Sequence, residues 1–269
     1  MWHDAVPLRR ALLISPGPAF GGVTDLAAHN FRQPPDLALA QYQHGALCET
    51  LVNLDVEVVL RPEMPGHPNS VFVQDPAVVV GRYFVRMCMG LPTRRGEPAW
   101  LAGLLQDQGL DELGRILKPG TAEGGDVVLL DGIALVGRSR RTDDEGVRQL
   151  ASILSSQGYE VRQVSVPSPS LHLGGVVTAI GPRSVLACSS VLPSDALAGL
   201  ETIDVPQLSF ISGNVIVVDS VHVIAEARNR AAIAALEAHG RQVTALDLSA
   251  FVGSTGGPSC LVLPLVRGG

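Results

Sequence analysis

The chain has 269 residues, 46% apolar and 17% charged, with a net charge of -6. That composition calls for a large packed core and excludes a disordered chain, and with no basic block it excludes a nucleic-acid surface. No apolar run approaches the ~18 residues of a membrane span, and residues 11–14 are too short for a signal-peptide core.

Residues 9–14 read as a strand ended by Ser15-Pro16-Gly17-Pro18, and 21–35 as a loop. From Asp36 the residues Leu39, Tyr42, Leu47, Leu51 and Leu54 recur at helical spacing, which predicts a helix with those residues inward. A strand at 56–60 and a loop at 62–69 follow. Next come Val71 to Val73, the pair Gln74-Asp75, and Val78 to Val80, then a Gly81 turn and a returning strand from Tyr83 to Met89. A helix is expected at 98–108 and a short strand at 115–117. Glu123-Gly124-Gly125-Asp126 leads Val127 to Leu130, and Asp131-Gly132 turns into Ile133 to Val136. That dipeptide between apolar runs is the strongest short hairpin signal. Thr142 and Glu145 form a capping box for a helix whose inner face is Val147, Leu150, Ile153 and Leu154. Gly158 stops it before a strand at 159–166.

The pattern then recurs. A third unit runs from Leu171-His172-Leu173 through strands at 176–180 and 185–188, a short helix near 194–200 and a strand near 202–205. A fourth opens with Ser212-Gly213-Asn214. Its strands are 215–218 and 221–225, its helix carries Ile233 and Leu236, and its last strand is 242–246. The fifth begins at Gly256-Gly257-Pro258-Ser259-Cys260 and a strand at 260–265, and must borrow residues 9–60 to complete itself. The lead residues Asp75, Asp126, His172, Asn214 and Cys260 are spaced 51, 46, 42 and 46 apart. Self-similarity at ~40 to 50 residues marks repeat architectures, including propellers. We therefore expect an α/β fold, a single domain over 1–269, in which five ββαβ units surround a central cavity. A doubly wound α/β sheet also alternates strands and helices, but its parallel strands are rarely joined by two-residue turns.

Such a ring brings Asp75, Glu123, His172 and Cys260 together. A thiol needs a positive neighbour to become a thiolate, either His172 or a bound cation. A histidine doing acid–base work is oriented by a second group, for which Glu123 is placed. Asp75 is then a spare carboxylate seeking a cation with several donors, as a guanidinium is. The four cysteines show no CxxC spacing, which points to free thiols and a cytoplasmic protein. Cys48, Cys88 and Cys188 read as structural, and His222 is given no role.

At these residues the chain resembles the dimethylarginine dimethylaminohydrolases, of the guanidino-group-modifying superfamily with the pentein fold, a five-fold α/β-propeller. The matching stretches are NSVFVQDPAVVV (69–80), GLPTRRGEP (90–98), AEGGDVV (122–128), GRSRRTDDEG (137–146), LHL (171–173) and GGPSCLVL (256–263). The resemblance implies hydrolysis of a methylated arginine to citrulline and a methylamine through a covalent Cys260 intermediate. His172 would protonate the departing amine and then activate water, with Glu123 orienting it. Asp75 would hold the guanidinium, and Arg94 and Arg141 the α-carboxylate, with Arg95 and Arg140 as adjacent alternatives. Neither a cofactor nor a metal is implied. The partner would be a small guanidino substrate, with no nucleic acid or membrane involved, and the protein a monomer or homodimer.

The chain departs from the pattern at three substrate-side positions. Gln74 stands where the family has an acid, Asn69 where it has aspartate, and Gly174 where it commonly has lysine. Two negative charges are therefore missing near a cationic substrate, which leaves open a different guanidine such as arginine or agmatine. A non-catalytic pentein-fold protein, such as a ribosomal-subunit anti-association factor, would be expected to lack the cysteine, histidine and glutamate. A low-pKa Cys260 would react with a haloacetamidine faster than the other thiols.

Overall fold

Each hairpin begins with a strand whose two faces both meet protein, and this explains the unbroken apolar runs. Ala77–Val80 and Val127–Leu130 are buried at every position. The computed structural model describes residues 2–268. Its strands form five three-stranded sheets with one design: the inner strand pairs antiparallel with a middle strand, which pairs parallel with an outer one. The first four sheets are Ala77–Val80, Tyr83–Arg86 and Asp111–Arg115; Val127–Leu130, Ile133–Arg138 and Glu160–Ser165; Val177–Gly181, Ser184–Ala187 and Glu201–Asp204; and Ile216–Val217, His222–Glu226 and Gln242–Leu246. The fifth joins Leu263–Arg267 antiparallel to Leu8–Ser15, which runs parallel to Glu57–Pro62. The C-terminal strand thus closes the ring onto the N-terminal one, as the repeat demanded. This is the five-fold α/β-propeller, not a continuous doubly wound sheet.

Three hairpins turn through two residues, with Val80 opposite Tyr83, Leu130 opposite Ile133 and Gly181 opposite Ser184. Gly81 and Gly132 take φ of +63° and +76° there, a region that costs a side chain but not glycine.

Several local expectations fail for identifiable reasons. Residues 71–73 are not a strand, because Pro68–Val71 forms a 3-10 turn that carries the chain into the centre of the ring. The 194–200 segment is a run of turns rather than a helix, and the 115–117 strand lies earlier, at Asp111–Arg115. The 21–35 loop contains a short helix, Leu26–His29, capped by the Asp25 side chain. The helix Leu37–Asn53 exists, but Leu39 and Tyr42 are exposed, while Ala40, Gln43, His44, Leu47 and Leu51 are buried. Gln43 turns inward because its amide donates to Ser249 Oγ and accepts from the Ala250 N–H. Asp143, not Thr142, caps Asp144–Ser156, since Thr142 Oγ1 donates instead to Asp126 Oδ2 at 2.6 Å.

The ring centre is held by a turn repeated in every unit. The N–H of Asp75, Asp126, Gly175, Asn214 and Cys260 donates to the carbonyl three residues earlier, on Phe72, Glu123, His172, Ile211 and Gly257, at 2.9–3.4 Å. Each turn is also tied to its neighbour. Gln74 N–H donates to the Cys260 carbonyl at 3.3 Å, Gly124 to that of Asp75 at 2.7 Å, and Gly213 to that of Gly175 at 2.9 Å. Leu173 N–H donates to Asp126 Oδ1 at 2.9 Å, and Ser259 N–H to Asn214 Oδ1 at 3.1 Å. These bonds form a closed circuit around the axis.

Candidate active site

The circuit decides which side chains meet. Glu123 and His172 hold the first position of their turns; Asp75 and Cys260 hold the fourth. The even spacing read from the sequence therefore mixed two positions: His172 is the first residue of its turn, and the counterpart of Asp75 and Cys260 is Gly175, three residues on. The two glycines after Glu123 are steric necessities. A Cβ on Gly124 would overlap the Gln74 carbonyl oxygen, and one on Gly125 would stand 2.7 Å from Asp75 Oδ1 and 2.8 Å from His172 Nδ1.

Asp75, Glu123, His172 and Cys260 line one cavity with Asn69, Arg94 and Arg141. Glu123 is fully buried and its Oε2 lies 2.8 Å from His172 Nε2, while Oε1 accepts from the Gly90 N–H at 3.1 Å. The other imidazole nitrogen, Nδ1, lies 3.8 Å from Asp75 Oδ1. Burial disfavours the imidazolium, but the carboxylates of Asp75, Asp126 and Glu123 together outweigh it and raise the His172 pKa. Burial likewise opposes the Glu123 charge, and the hydrogen bond and charge of His172, with Arg94 and Arg141, outweigh it and lower that pKa. Both shifts favour an imidazolium–carboxylate pair, with Nδ1 on the cavity side next to Asp75.

Arg94 is committed inward. Its Nε donates to Glu97 Oε2 at 2.9 Å, NH1 to Asp75 Oδ2 at 2.6 Å, and NH2 to the carbonyls of Asn69 and Phe72 at 3.2 and 3.0 Å. Four of its five N–H groups are spent on the protein, which leaves one NH1 hydrogen for a ligand. Arg141 has more to offer, being buried with NH1 3.8 Å from Glu123 Oε1. Arg95 and Arg140 are exposed. The sequence reading missed Glu97, which is fully buried three residues beyond Arg94 and fixes its guanidinium. The i,i+3 spacing at a helix start was the available signal.

Asn69 does not reach into open space. Its Oδ1 lies 3.1 Å from His29 Nδ1 and its Nδ2 donates to the His29 carbonyl at 3.1 Å. With Thr93 Oγ1 on the Ala28 carbonyl and Thr255 Oγ1 on that of Asn30, it pins the 26–31 segment over the cavity. Gln74 is half-buried and its side chain makes no hydrogen bond among the described residues. Asp75, Glu123 and His172 each offer a ligand atom within 4.8 Å of the others, but Arg94 and Arg141 beside them make a divalent ion costly there. The decisive orphan is Asp75 Oδ1, buried and without a hydrogen-bond partner among the described residues, so the site presents an unspent carboxylate oxygen beside His172.

The Cys260 thiol is pushed up to about 12, chiefly by burial and then by the charge of Asp75. It is not the low-pKa cysteine expected from sequence, and Cys48 and Cys188 are also raised by burial, to about 11. In the free protein, alkylation of Cys260 by neutral iodoacetamide should climb about tenfold per pH unit through pH 10, because the thiolate fraction does. A plateau below pH 8 would contradict this.

Residues 35–267 match the family described as N,N dimethylarginine dimethylhydrolase, eukaryotic. The chain belongs to that family. It is 32% identical to the N(G),N(G)-dimethylarginine dimethylaminohydrolase of Pseudomonas aeruginosa, over 85% of this chain and 89% of that one. It is 34% identical to the Bacillus subtilis protein YkgA, itself uncharacterized, over 85% and 81% of the two chains. Among solved structures, the dimethylarginine dimethylaminohydrolase of Pseudomonas aeruginosa, as a cysteine-to-serine variant complexed with citrulline, superposes with a TM-score of 0.83 at 27% identity, covering 96% of this chain and 99% of that one. This member of the family is accordingly an amidinohydrolase, and among its described residues no helix is long and apolar enough to cross a membrane.

Proposed function

We propose that the protein hydrolyses an Nω-methylated arginine to citrulline and a methylamine through a thiouronium on Cys260. The observation carrying this reading is the buried Asp75 Oδ1, which accepts no hydrogen bond among the described residues, a carboxylate oxygen open to a guanidinium N–H beside a thiol and an imidazolium. Binding the cation lowers the cost of releasing the Cys260 S–H proton to solvent and leaving a thiolate. The thiolate then attacks the guanidinium carbon. The C–N bond breaks with its electron pair leaving on nitrogen, which takes the proton from His172 Nδ1. The neutral imidazole then removes a proton from water. The hydroxide adds to the thiouronium, and the C–S bond breaks to give citrulline and the thiol. In this reading Arg141 receives the α-carboxylate, and Arg94 acts mainly by aiming Asp75. A cytoplasmic location suits a nucleophile that must stay reduced.

A second reading keeps the chemistry and changes the guanidine. It is favoured by Asn69, whose carboxamide is spent on His29, and by the neutral Gln74, because both remove negative charge from the substrate's surroundings. A citrulline and amine assay across arginine, mono- and dimethylarginines, and agmatine decides between them. The expected result is a kcat/KM at least about tenfold higher for a methylated arginine than for arginine. A higher value for arginine or agmatine would hand the site to the second reading.

A further inference from the structure

Val127, Thr178, Val217 and Pro264, from four inner strands, line a cavity of about 60 Å³ together with Asp4 and Arg267. Gln74, Gly125, Gly174 and Ser259, which belong to the central turns, line this cavity and also the one that holds His172 and Cys260. The two cavities therefore share one opening through the circuit of turns. We propose that the opening joins them into a passage along the ring axis, and that the water which hydrolyses the Cys260 thiouronium arrives by this passage from the far face of the ring. The inference rests on the guanidine-hydrolase reading above and adds the source of its second reactant.

The opening is kept clear by missing side chains. A Cβ on Gly174 would stand 3.0 Å from the Gly125 carbonyl oxygen, and one on Gly125 would strike Asp75 and His172. An acid at 74 and a lysine at 174, the pattern from which this chain departs, would put opposite charges at one opening and close it with an ion pair. Gln74 and Gly174 bring no charge to it. Water finds partners there in the Gln74 carboxamide and in the Ser259 hydroxyl, which accepts from Asn214 Nδ2 at 2.7 Å and keeps its own hydrogen to give. At the far end, Arg267 NH1 donates to the carbonyls of Val6 and Val217 at 2.7 and 3.2 Å, but its Nε is buried without a partner among the described residues. A buried N–H that the protein leaves over calls for water, and the cavity is several times the ~10–15 Å³ that one water needs.

Hydrolysis needs water when the site is most crowded. Once the thiouronium has formed, the rest of the substrate stays tethered to Cys260, its charged tail in the cavity of Arg141 beneath the 26–31 segment. Water then has to come from another side. None of the four residues at the shared opening lines that charged cavity, so the passage reaches His172 and Cys260 without crossing the tail. The arriving water gives a proton to the neutral imidazole, and its oxygen bonds to the thiouronium carbon. The C–S bond then breaks with its electron pair leaving on the Cys260 sulfur. Each turnover draws one water along the axis.

The test plugs the passage beyond the opening. Thr178 lines the axial cavity, and its hydroxyl donates to the Gly213 carbonyl at 2.7 Å. Thr178→Met loses that bond and fills the cavity; Thr178→Val loses the same bond and leaves the space. Quenched single turnover of asymmetric dimethylarginine separates amine release from citrulline formation. Thr178→Met should slow citrulline formation by about tenfold or more, keep amine release within about threefold, and let an adduct on Cys260 accumulate in the mass spectrum of the quenched enzyme. Thr178→Val should keep both rates. Val217→Met fills the same cavity from the next unit and replaces Thr178→Met if that variant melts early. Equal slowing of both steps, no slowing in either methionine variant, or as much slowing by valine as by methionine would overturn the passage. A readout without turnover is a crystal structure of the protein, in which an unbroken file of ordered waters should run from Arg267 Nε past Gln74 to the His172 ring. A dry gap at the opening would overturn the passage. If the file is present and no guanidine is hydrolysed, the hydrolase reading fails and the passage stands.

Discussion

Replacing Cys260 by serine is expected to abolish guanidine turnover, by at least about 10⁴-fold, without disturbing the fold. The ring uses the backbone of this residue, not its sulfur. Its N–H donates to the Gly257 carbonyl and its own carbonyl accepts from Gln74, and serine retains both. The sulfur is needed for its electrons. Even the thiol stands near 12 here and depends on a bound cation to ionise, and a serine hydroxyl is a far weaker acid. The measurement is citrulline formation in single turnover, with a melting curve alongside. A variant that melts normally and keeps a tenth of the rate would end the covalent mechanism. Loss of rate with a collapsed melting curve would show that the sulfur is structural.

The sequence could be read furthest where a feature depends on neighbours in the chain. Gly81 and Asp131-Gly132 announce their hairpins because only certain residues tolerate those φ values, and the inner strands Ala77–Val80 and Val127–Leu130 announce burial by having no polar position. The closure of residues 8–62 onto 263–267 was legible because one unit was otherwise incomplete. What failed depends on distant partners. Tyr42 fits the inner-face spacing but is exposed, because Gln43 is drawn inward by Ser249 and Ala250, more than two hundred residues away. Thr142 left its capping role for Asp126. The four side chains that line the cavity could be gathered from the repeat, but not the direction in which Arg94 points. An arginine in the GLPTRRGEP stretch reads as a ligand for anions, and the buried Glu97 shows that it faces the protein.

Asp75→Asn should separate the two jobs given to that carboxylate, with effects of opposite sign. One oxygen binds Arg94 NH1 at 2.6 Å, and the other accepts no hydrogen bond among the described residues. The amide removes the charge that a guanidinium would meet, a loss of about 2–5 kcal/mol, or ~30- to 5000-fold in kcat/KM. Arg94 keeps Glu97, with NH2 2.7 Å from its Oε2, so the buried cation is not stranded and the variant should fold. The His172 pKa, raised in part by Asp75, should fall. The imidazolium needed to protonate the leaving amine is then lost at lower pH, and the alkaline limb of the kcat profile moves down. The Cys260 pKa, raised by burial and next by Asp75, should fall as well. Iodoacetamide should therefore alkylate the free variant faster than the wild type at pH 8, although the variant hydrolyses its substrate far more slowly. Misfolding cannot produce that pattern selectively, since it would expose Cys48 and Cys188 to the reagent too. Peptide mapping of the alkylated cysteines distinguishes the cases. A variant with wild-type kcat/KM would remove Asp75 from substrate binding, and slower alkylation of Cys260 would show that its charge does not hold the thiol protonated.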